Sequence, residues 1–303
     1  MKKKISILIT TKNRIEDLKI TLTNLVGLID DSAVECMVYD DGSTDGTSQF
    51  IQENYPNISF FKNEVSKGYM YNRNFLLNHC SGDYAVSLDD DAHFLSENVV
   101  ENIEHYFENH PKCGVIACRI FWGKETPTHL TTKLKSQRAK GFVGCGHVWN
   151  LKAWREIPNY PEWFVFYGEE EFASYQLFKK GWEVHYVPEL VVQHRVEVKA
   201  RKNENDYAQR QRRNFRAGWY LYLLFYPWSV IPKKLVYTLW MQIKTKVLKG
   251  DGRATKGLLL ALWDVLIHIP RLLKESNRFT AEEYKKYSNL EPTKIYWRPE
   301  NEK

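Results

Sequence analysis

Tyr84-Ala-Val-Ser-Leu-Asp-Asp-Asp91 is the stretch that decides the fold. Four of its first five residues are apolar or aromatic, and the run is too short for a free-standing helix, so it predicts a buried strand that ends in three carboxylates. Adjacent acids repel one another and are poor strand residues. Their natural place is the open C-terminal edge of a sheet, where a positive charge compensates them. Hard oxygen ligands at the mouth of an α/β sheet suit a divalent cation, magnesium or manganese, with substrate phosphates as co-ligands.

Upstream, Ile5–Thr11 predicts a central strand, Lys12-Asn13-Arg14 a turn, and 15–28 a helix. Val34–Tyr39 predicts a second strand. It runs into Asp40-Asp-Gly-Ser-Thr-Asp-Gly46, where Gly42 and Gly46 allow close backbone approach and Ser43, Thr44 or Asp45 can cap a helix to about Asn54. A strand at 58–61 and a helix at 69–80 complete a βαβαβαβ alternation. That order calls for a mostly parallel sheet with its ligand site at the strand C-termini.

Downstream, Ser96 is expected to cap a helix to about Asn109, and strands are expected at 114–120 and 142–149, with a loop over 123–140 between them. Short and long helices follow at 151–156 and 169–180, then a hairpin-like pair, 183–187 and 190–193, that delivers His194. The first turn of the 169–180 helix carries Glu169, Glu170 and Glu171, which complement a helix dipole whatever else they do.

The net charge of +6 conceals a division. Residues 195–303 carry 23 Lys and Arg against 11 Asp and Glu, and residues 1–194 carry 20 against 26. The two parts therefore face different partners. Arg210, Arg212, Arg213 and Arg216 lead into an uncharged, Trp- and Tyr-rich run, 217–232, broken by Pro227. That composition suits an interfacial helix pair on an anionic membrane better than one straight span, and residues 217–270 are the predicted membrane-facing segment. Hydrophobic core or a homodimer interface are the other uses of such a run, and the arginines serve either phosphate contact or a solvated helix face. Five cysteines without Cys-x-x-Cys spacing predict reduced thiols, and no secretory signal is expected at the N-terminus.

In order and spacing, several motifs resemble family 2 glycosyltransferases of the GT-A fold: Ile5–Arg14, the Asp40–Gly46 turn, Arg73-Asn74 ahead of Gly82-Asp-Tyr84, Asp89–Asp91 and Gly168-Glu-Glu170. The resemblance spans residues 5–194. It implies an α/β GT-A domain over 1–200, with a nucleotide-binding half (1–95) and an acceptor half (96–200), followed by a helical extension (201–303) like that of bacterial members acting at membranes. It further implies that Thr10, Lys12 and Asp41 hold a uracil or thymine base, that Arg73 lies near the base, and that Asp89 meets the ribose with Asp90 beside it. Asp91 becomes the principal ligand of Mn2+ or Mg2+, and His194 a second. The family inverts configuration, so a carboxylate must deprotonate the acceptor hydroxyl. Position by position that base is Glu170, with Glu169 and Glu171 as rivals. Two departures stand out: a glutamate where relatives carry aspartate, and Gln176 where many carry a basic residue.

The resemblance implies transfer from a UDP- or dTDP-sugar to a glycan or lipid-linked acceptor in cell-surface polysaccharide synthesis, at the inner face of the membrane. A nucleotidyltransferase would also use carboxylates and metal, but no glycine-rich basic loop for a triphosphate is present. A basic polymer-binding protein is the non-enzymatic alternative, and no nucleic-acid motif supports it.

Overall fold

The computed structural model describes residues 3–196 and 205–295. The chain divides into two compact units: Met1–Tyr160 with Gln176–Glu197 and Leu290–Lys303, and Pro161–Tyr175 with Val198–Asn289. The domain boundary expected at 200/201 lies outside the described residues.

In the first unit every residue of β1 (Ile5–Thr11) is buried, as a central strand covered on both faces requires. α1 (Ile15–Ile29) follows and places Leu18, Leu22 and Leu25 on one face, in the core. Then come β2 (Val34–Asp40), α2 (Thr47–Asn54), β3 (Ser59–Lys62), α3 (Tyr69–His79) and β4 (Tyr84–Asp89). β3, β2, β1 and β4 lie in that order, all parallel. Parallel register sets Thr10 opposite both Tyr39 and Asp89, and Thr11 opposite Asp40. The polar ends of three strands therefore share one edge.

After β4 come β5 (Ala92–Phe94), α4 (Val99–Asn109), β6 (Cys113–Trp122), β7 (Gln137–Ala139), β8 (Gly146–Asn150), α5 (Leu151–Arg155), α6 (Glu169–Lys180) and β9 (Glu183–His194). α6 begins in the second unit and ends in the first. β8 is antiparallel to both β4 and β6, and β9 runs parallel to β6.

Three expectations are corrected here, and one strand is added. The hairpin-like pair is one strand: both halves of β9 pair with β6 in the same direction, and the register jumps from Cys118↔Val187 to Arg119↔Val191. Pro188-Glu189 looked like a turn and is a bulge. Ser96 does not cap α4, since its hydroxyl accepts the Val191 amide at 3.2 Å while Asn98 holds the cap position with φ 50°. The 123–140 loop contains β7, paired antiparallel with β9. β5 was not foreseen, and it pairs Ala92 with His194.

The second unit contains α7 (Tyr207–Phe225), α8 (Ile231–Thr245), α9 (Gly252–Lys274) and α10 (Ala281–Ser288). Trp219, Tyr220, Leu221, Leu224 and Phe225 are buried, so the part of the aromatic run that lies on α7 is largely core, while Trp228 is exposed. Phe215 and Trp219 of α7 pack with Leu258 and Ala261 of α9. Gly257 permits this approach, because a Cβ there would meet the Ala208 carbonyl at 2.7 Å. Of the arginine cluster, Arg212 and Arg216 pair with Asp264, and Arg210 with Asp206. Among the described residues no helix is long and apolar enough to cross a membrane.

Candidate active site

The site grows from two interlocked turns. Asn13, with φ 52°, accepts the Thr44 amide on Oδ1 at 2.8 Å, and its own amide donates to Ser43 Oγ at 2.8 Å. Gly46 rather than Ser43, Thr44 or Asp45 holds the cap position of α2, and Asp45 instead binds the first amide of each helix: Oδ2 accepts from the Ile15 amide at 3.0 Å and Oδ1 from the Thr47 amide at 3.2 Å. Asp40 accepts from the Ser43 amide and Ser48 hydroxyl, at 2.8 and 2.6 Å. Gly42, at φ +80°, passes so close to Asn63 that a Cβ would lie 3.2 Å from its carbonyl. The polar residues of both motifs thus fix the edge of the sheet before any ligand arrives.

Asp41 is buried and organises the loop after β3. It accepts from Asn63 Nδ2 (2.8 Å), the amides of Lys67 (2.8 Å) and Gly68 (3.1 Å), and Ser66 Oγ (2.5 Å). Burial opposes its charge, but the Ser66, Lys67 and Asn63 bonds prevail and hold the carboxyl below its usual range. These donors fill the roughly four lone-pair positions of a carboxylate. Thr10 is buried at the neighbouring strand end, and Lys12 is exposed.

The three aspartates separate by partner. Asp89 Oδ1 pairs with Arg73 Nη2 at 2.6 Å, and Arg73 is itself buried with its guanidinium 4.3 Å above the Tyr69 ring. Asp90 accepts the Thr11 hydroxyl at 2.9 Å, its main-chain carbonyl accepts the Thr21 hydroxyl at 2.7 Å, and Arg14 Nη1 lies 3.3 Å from Oδ1. Burial raises its pKa to about 7 against the opposing charge of Arg14. Asp91 Oδ2 binds Arg14 Nη2 at 2.6 Å, while Oδ1 is 3.0 Å from His194 Nε2. Burial works against its charge too, but His194 and Arg14 outweigh it and hold Asp91 well below the ordinary range. For His194, burial opposes the charge, but the Asp91 carboxylate 3.0 Å away outweighs it and raises the imidazole above its usual range.

Asp89, Asp91 and His194 each present one ligand atom, all within 4.8 Å of one another. Asp91 Oδ1 is buried and receives no hydrogen bond, although His194 Nε2 stands beside it. Two carboxylates and an imidazole around such an orphaned oxygen fit a divalent cation. His194 arrives there because β5 pairs with the end of β9, and the Arg195 amide donates to the Asp91 carbonyl at 2.9 Å.

The sheet edge therefore gathers Thr10, Asp41, Arg73, Asp89, Asp90, Asp91 and His194. Glu169 and Glu170 belong to the second unit, on the first turn of α6, where Glu169 is buried, Glu170 half-buried and Glu171 exposed. Just before them, Val165 and Tyr167 hold positive φ (71° and 72°), which is rare for residues with a Cβ. Sequence reasoning did not single out Arg14 or Thr11, although both lie inside a motif it used. Only the register between strands shows that they meet residues of the acidic cluster.

A parallel half whose strands close on an acidic turn, continued by mixed strands that return a histidine to that turn, defines a GT-A glycosyltransferase. The family model described as glycosyl transferase family 2 matches residues 6–167, and the chain belongs to that family. Solved structures agree on the fold. GalNAc-T7, solved with UDP, GalNAc and Mn2+, is 13% identical at TM-score 0.59, over 89% of this chain and 58% of that one. The mannosyltransferase PcManGT from Pyrobaculum calidifontis, in complex with GDP-Man and Mn2+, is 15% identical at 0.53, over 95% and 76%. S. aureus TarS is 14% identical at 0.54; the similarity covers 69% of this chain and 42% of TarS, so the chain spans less than half of that protein. No curated protein matches significantly in sequence.

Proposed function

We propose that the chain transfers a sugar, with inversion, from a UDP- or dTDP-sugar to a hydroxyl of a glycan or lipid-linked acceptor, in cell-surface polysaccharide synthesis at the inner face of the membrane. The observation that carries this reading is the convergence of Asp89, Asp91 and His194 on one sheet edge. Residues 1–95 hold the donor in this reading, and residues 96–200 the acceptor.

Thr10 and Lys12 flank the base. Asp41 takes the imide N–H of uracil or thymine in exchange for one of its loop donors, the Ser66 hydroxyl being the most easily rotated. Arg73, already bound to Asp89, lies toward the base and turns that carboxylate to the ribose hydroxyls. Asp91 and His194, with Asp89 beside them, would hold Mn2+ or Mg2+, which offsets charge on the departing diphosphate. Imidazole ligation favours manganese. Arg14 keeps Asp91 oriented through Oδ2. Glu170 removes the acceptor proton; its half-burial leaves it reachable, whereas Glu169 is closed off from solvent. The nucleotide sugars and Mn2+ bound to proteins of similar fold, UDP-GlcNAc in TarS and GDP-Man with Mn2+ in the mannosyltransferase, support a sugar donor and a metal here.

Thermal stabilisation by nucleotide sugars, with and without Mn2+, tests this reading. UDP- or dTDP-sugars should raise Tm only when metal is present, and Asp91→Ala should remove the effect. Stabilisation by GDP-sugars alone would overturn the pyrimidine assignment. Stabilisation indifferent to metal would overturn the cation.

A further inference from the structure

We infer that the second unit docks on an anionic lipid surface through the outer faces of α8 and α9, which lie in the plane of the interface. This narrows the membrane-surface reading, with which it stands or falls, from the whole of residues 217–270 to two helix faces. It does not depend on the transfer chemistry.

A helix at a protein surface normally buries an apolar stripe and shows water a polar one. α8 and α9 show water an apolar stripe as well. On α8, Leu235, Leu239 and Ile243 pack inward against the second unit's core. The opposite face carries Val236, Tyr237 and Trp240, with Val236 69% and Trp240 54% exposed. Lys233 and Lys244 stand on that face at its two ends, at helical spacing from the apolar residues. α9 repeats the arrangement: Leu258 and Ala261 point into the core, while Leu259 and Trp263 are 62% and 61% exposed and continue into exposed Leu266 and Ile267. Lys256 precedes this stripe and Lys274 follows it.

Charge decides the occupant. From Ile231 to Lys274 there are nine Lys and Arg and two Asp. Asp264 is buried between Arg212 and Arg216, and Asp251 caps α9 through the Ala254 amide at 2.9 Å. Both acids are thus engaged in holding the helices, and the exposed charge of the segment is positive. A second copy of this chain would bring the same positive charges against it, and an uncharged apolar partner would leave the lysines uncompensated. An anionic bilayer surface accepts both parts: tryptophan and tyrosine rings settle at headgroup depth, leucine and isoleucine enter the acyl boundary, and the terminal lysines reach up to lipid phosphates. One weak anchor holds a protein reversibly, whereas two stripes on one compact unit supply the second signal that stable association needs. No described helix can cross the bilayer, which leaves the in-plane arrangement.

The test is co-sedimentation of the full chain with phosphatidylcholine vesicles and with vesicles containing phosphatidylglycerol, for the wild type, W240E/W263E and K233E/K244E. The wild type should bind the anionic vesicles and release them at high salt. Each variant should lose about tenfold or more in vesicle affinity. Tm and metal-dependent donor stabilisation should stay at wild-type values, because none of the four side chains belongs to the donor site. Undiminished binding by W240E/W263E overturns the assignment of the faces. Equal binding to both vesicle types overturns the anionic surface. A wild type that binds neither vesicle but is a dimer dispersed by W240E/W263E makes the surface a subunit interface and overturns lipid docking. Donor stabilisation without vesicle binding defeats the docking alone and leaves the transfer chemistry standing.

Discussion

Arg216 Nη1 lies 3.0 Å from Asp264 Oδ2 in the interior of the second unit, where both residues are buried. The other Asp264 oxygen takes Arg212 Nη2, and Arg216 Nη2 donates onward to the Phe164 carbonyl at 2.5 Å. One carboxylate of α9 therefore holds two arginines of α7, and one of those arginines holds the start of the loop that runs through Val165 and Tyr167 to Glu169 and Glu170. A buried pair of this kind is costly to break from one side, because the remaining charge has nowhere to go.

Replacing Asp264 by Ala should therefore destabilise the protein by about 3–5 kcal/mol, read by denaturant unfolding. Burial opposes the charge of Asp264, but the bonds from Arg212 and Arg216 prevail and depress its pKa. A depressed carboxylate stabilises fully above its unfolded pKa of about 3.9. This contribution should therefore be lost as pH falls through the lower folded value. In D264A that part of the acid destabilisation should be missing.

Asp91→Ala should abolish turnover. Chelation by EDTA should do the same to the wild type, with Mn2+ restoring it. His194→Ala should weaken metal binding without abolishing it, because two carboxylates remain. Metal titration followed by donor stabilisation separates the two variants. An Asp91→Ala enzyme that turns over normally would remove the cation from this site.

Glu170→Gln should leave donor binding intact and lower kcat by about 10²–10⁴, the range a general base supplies. Glu169→Gln is the control. If it carries the larger loss of kcat with an unchanged donor KM, the proton passes to the buried neighbour instead.

Asp41→Asn keeps the shape of the side chain; with Oδ2 replaced by the amide nitrogen, a donor faces the Ser66 hydroxyl and the Gly68 amide. Leaving buried amides unsatisfied costs about 1–3 kcal/mol, which differential scanning calorimetry should register. The same substitution should raise the KM for a uridine donor. A change in stability with no change in donor affinity would make Asp41 a loop anchor only.

The sequence made parts of the molecule legible for identifiable reasons. β1, β2 and β4 were readable because a strand covered on both faces must be continuously apolar, and the acidic triad marked where the sheet stops. β5 and β7 were not, since three residues carry no periodicity and both strands exist only by pairing with β9. Pro188-Glu189 carried the punctuation of a turn and is a bulge in a strand pinned by β6. For the 217–232 run both core and surface stay open, because aromatic composition suits either. Which faces of α8 and α9 stay uncovered depends on how α7 packs. Arg14 is not legible as a site residue within its motif, because its partner, Asp91, is 77 positions away and comes near only through the β1–β4 register.

All five cysteines are buried and free. Burial, with Glu35 adding to it, raises the Cys36 thiol to about 12, and burial raises Cys80 to about 11. Few thiolates are then present at neutral pH to attack an electrophile. For spectroscopy the native chain already behaves as a cysteine-silent background. A single cysteine placed at Tyr237 or Leu266 would be the one thiol that a maleimide dye or nitroxide label finds, so depth in a bilayer could be measured by quenching without first removing the native sulfurs.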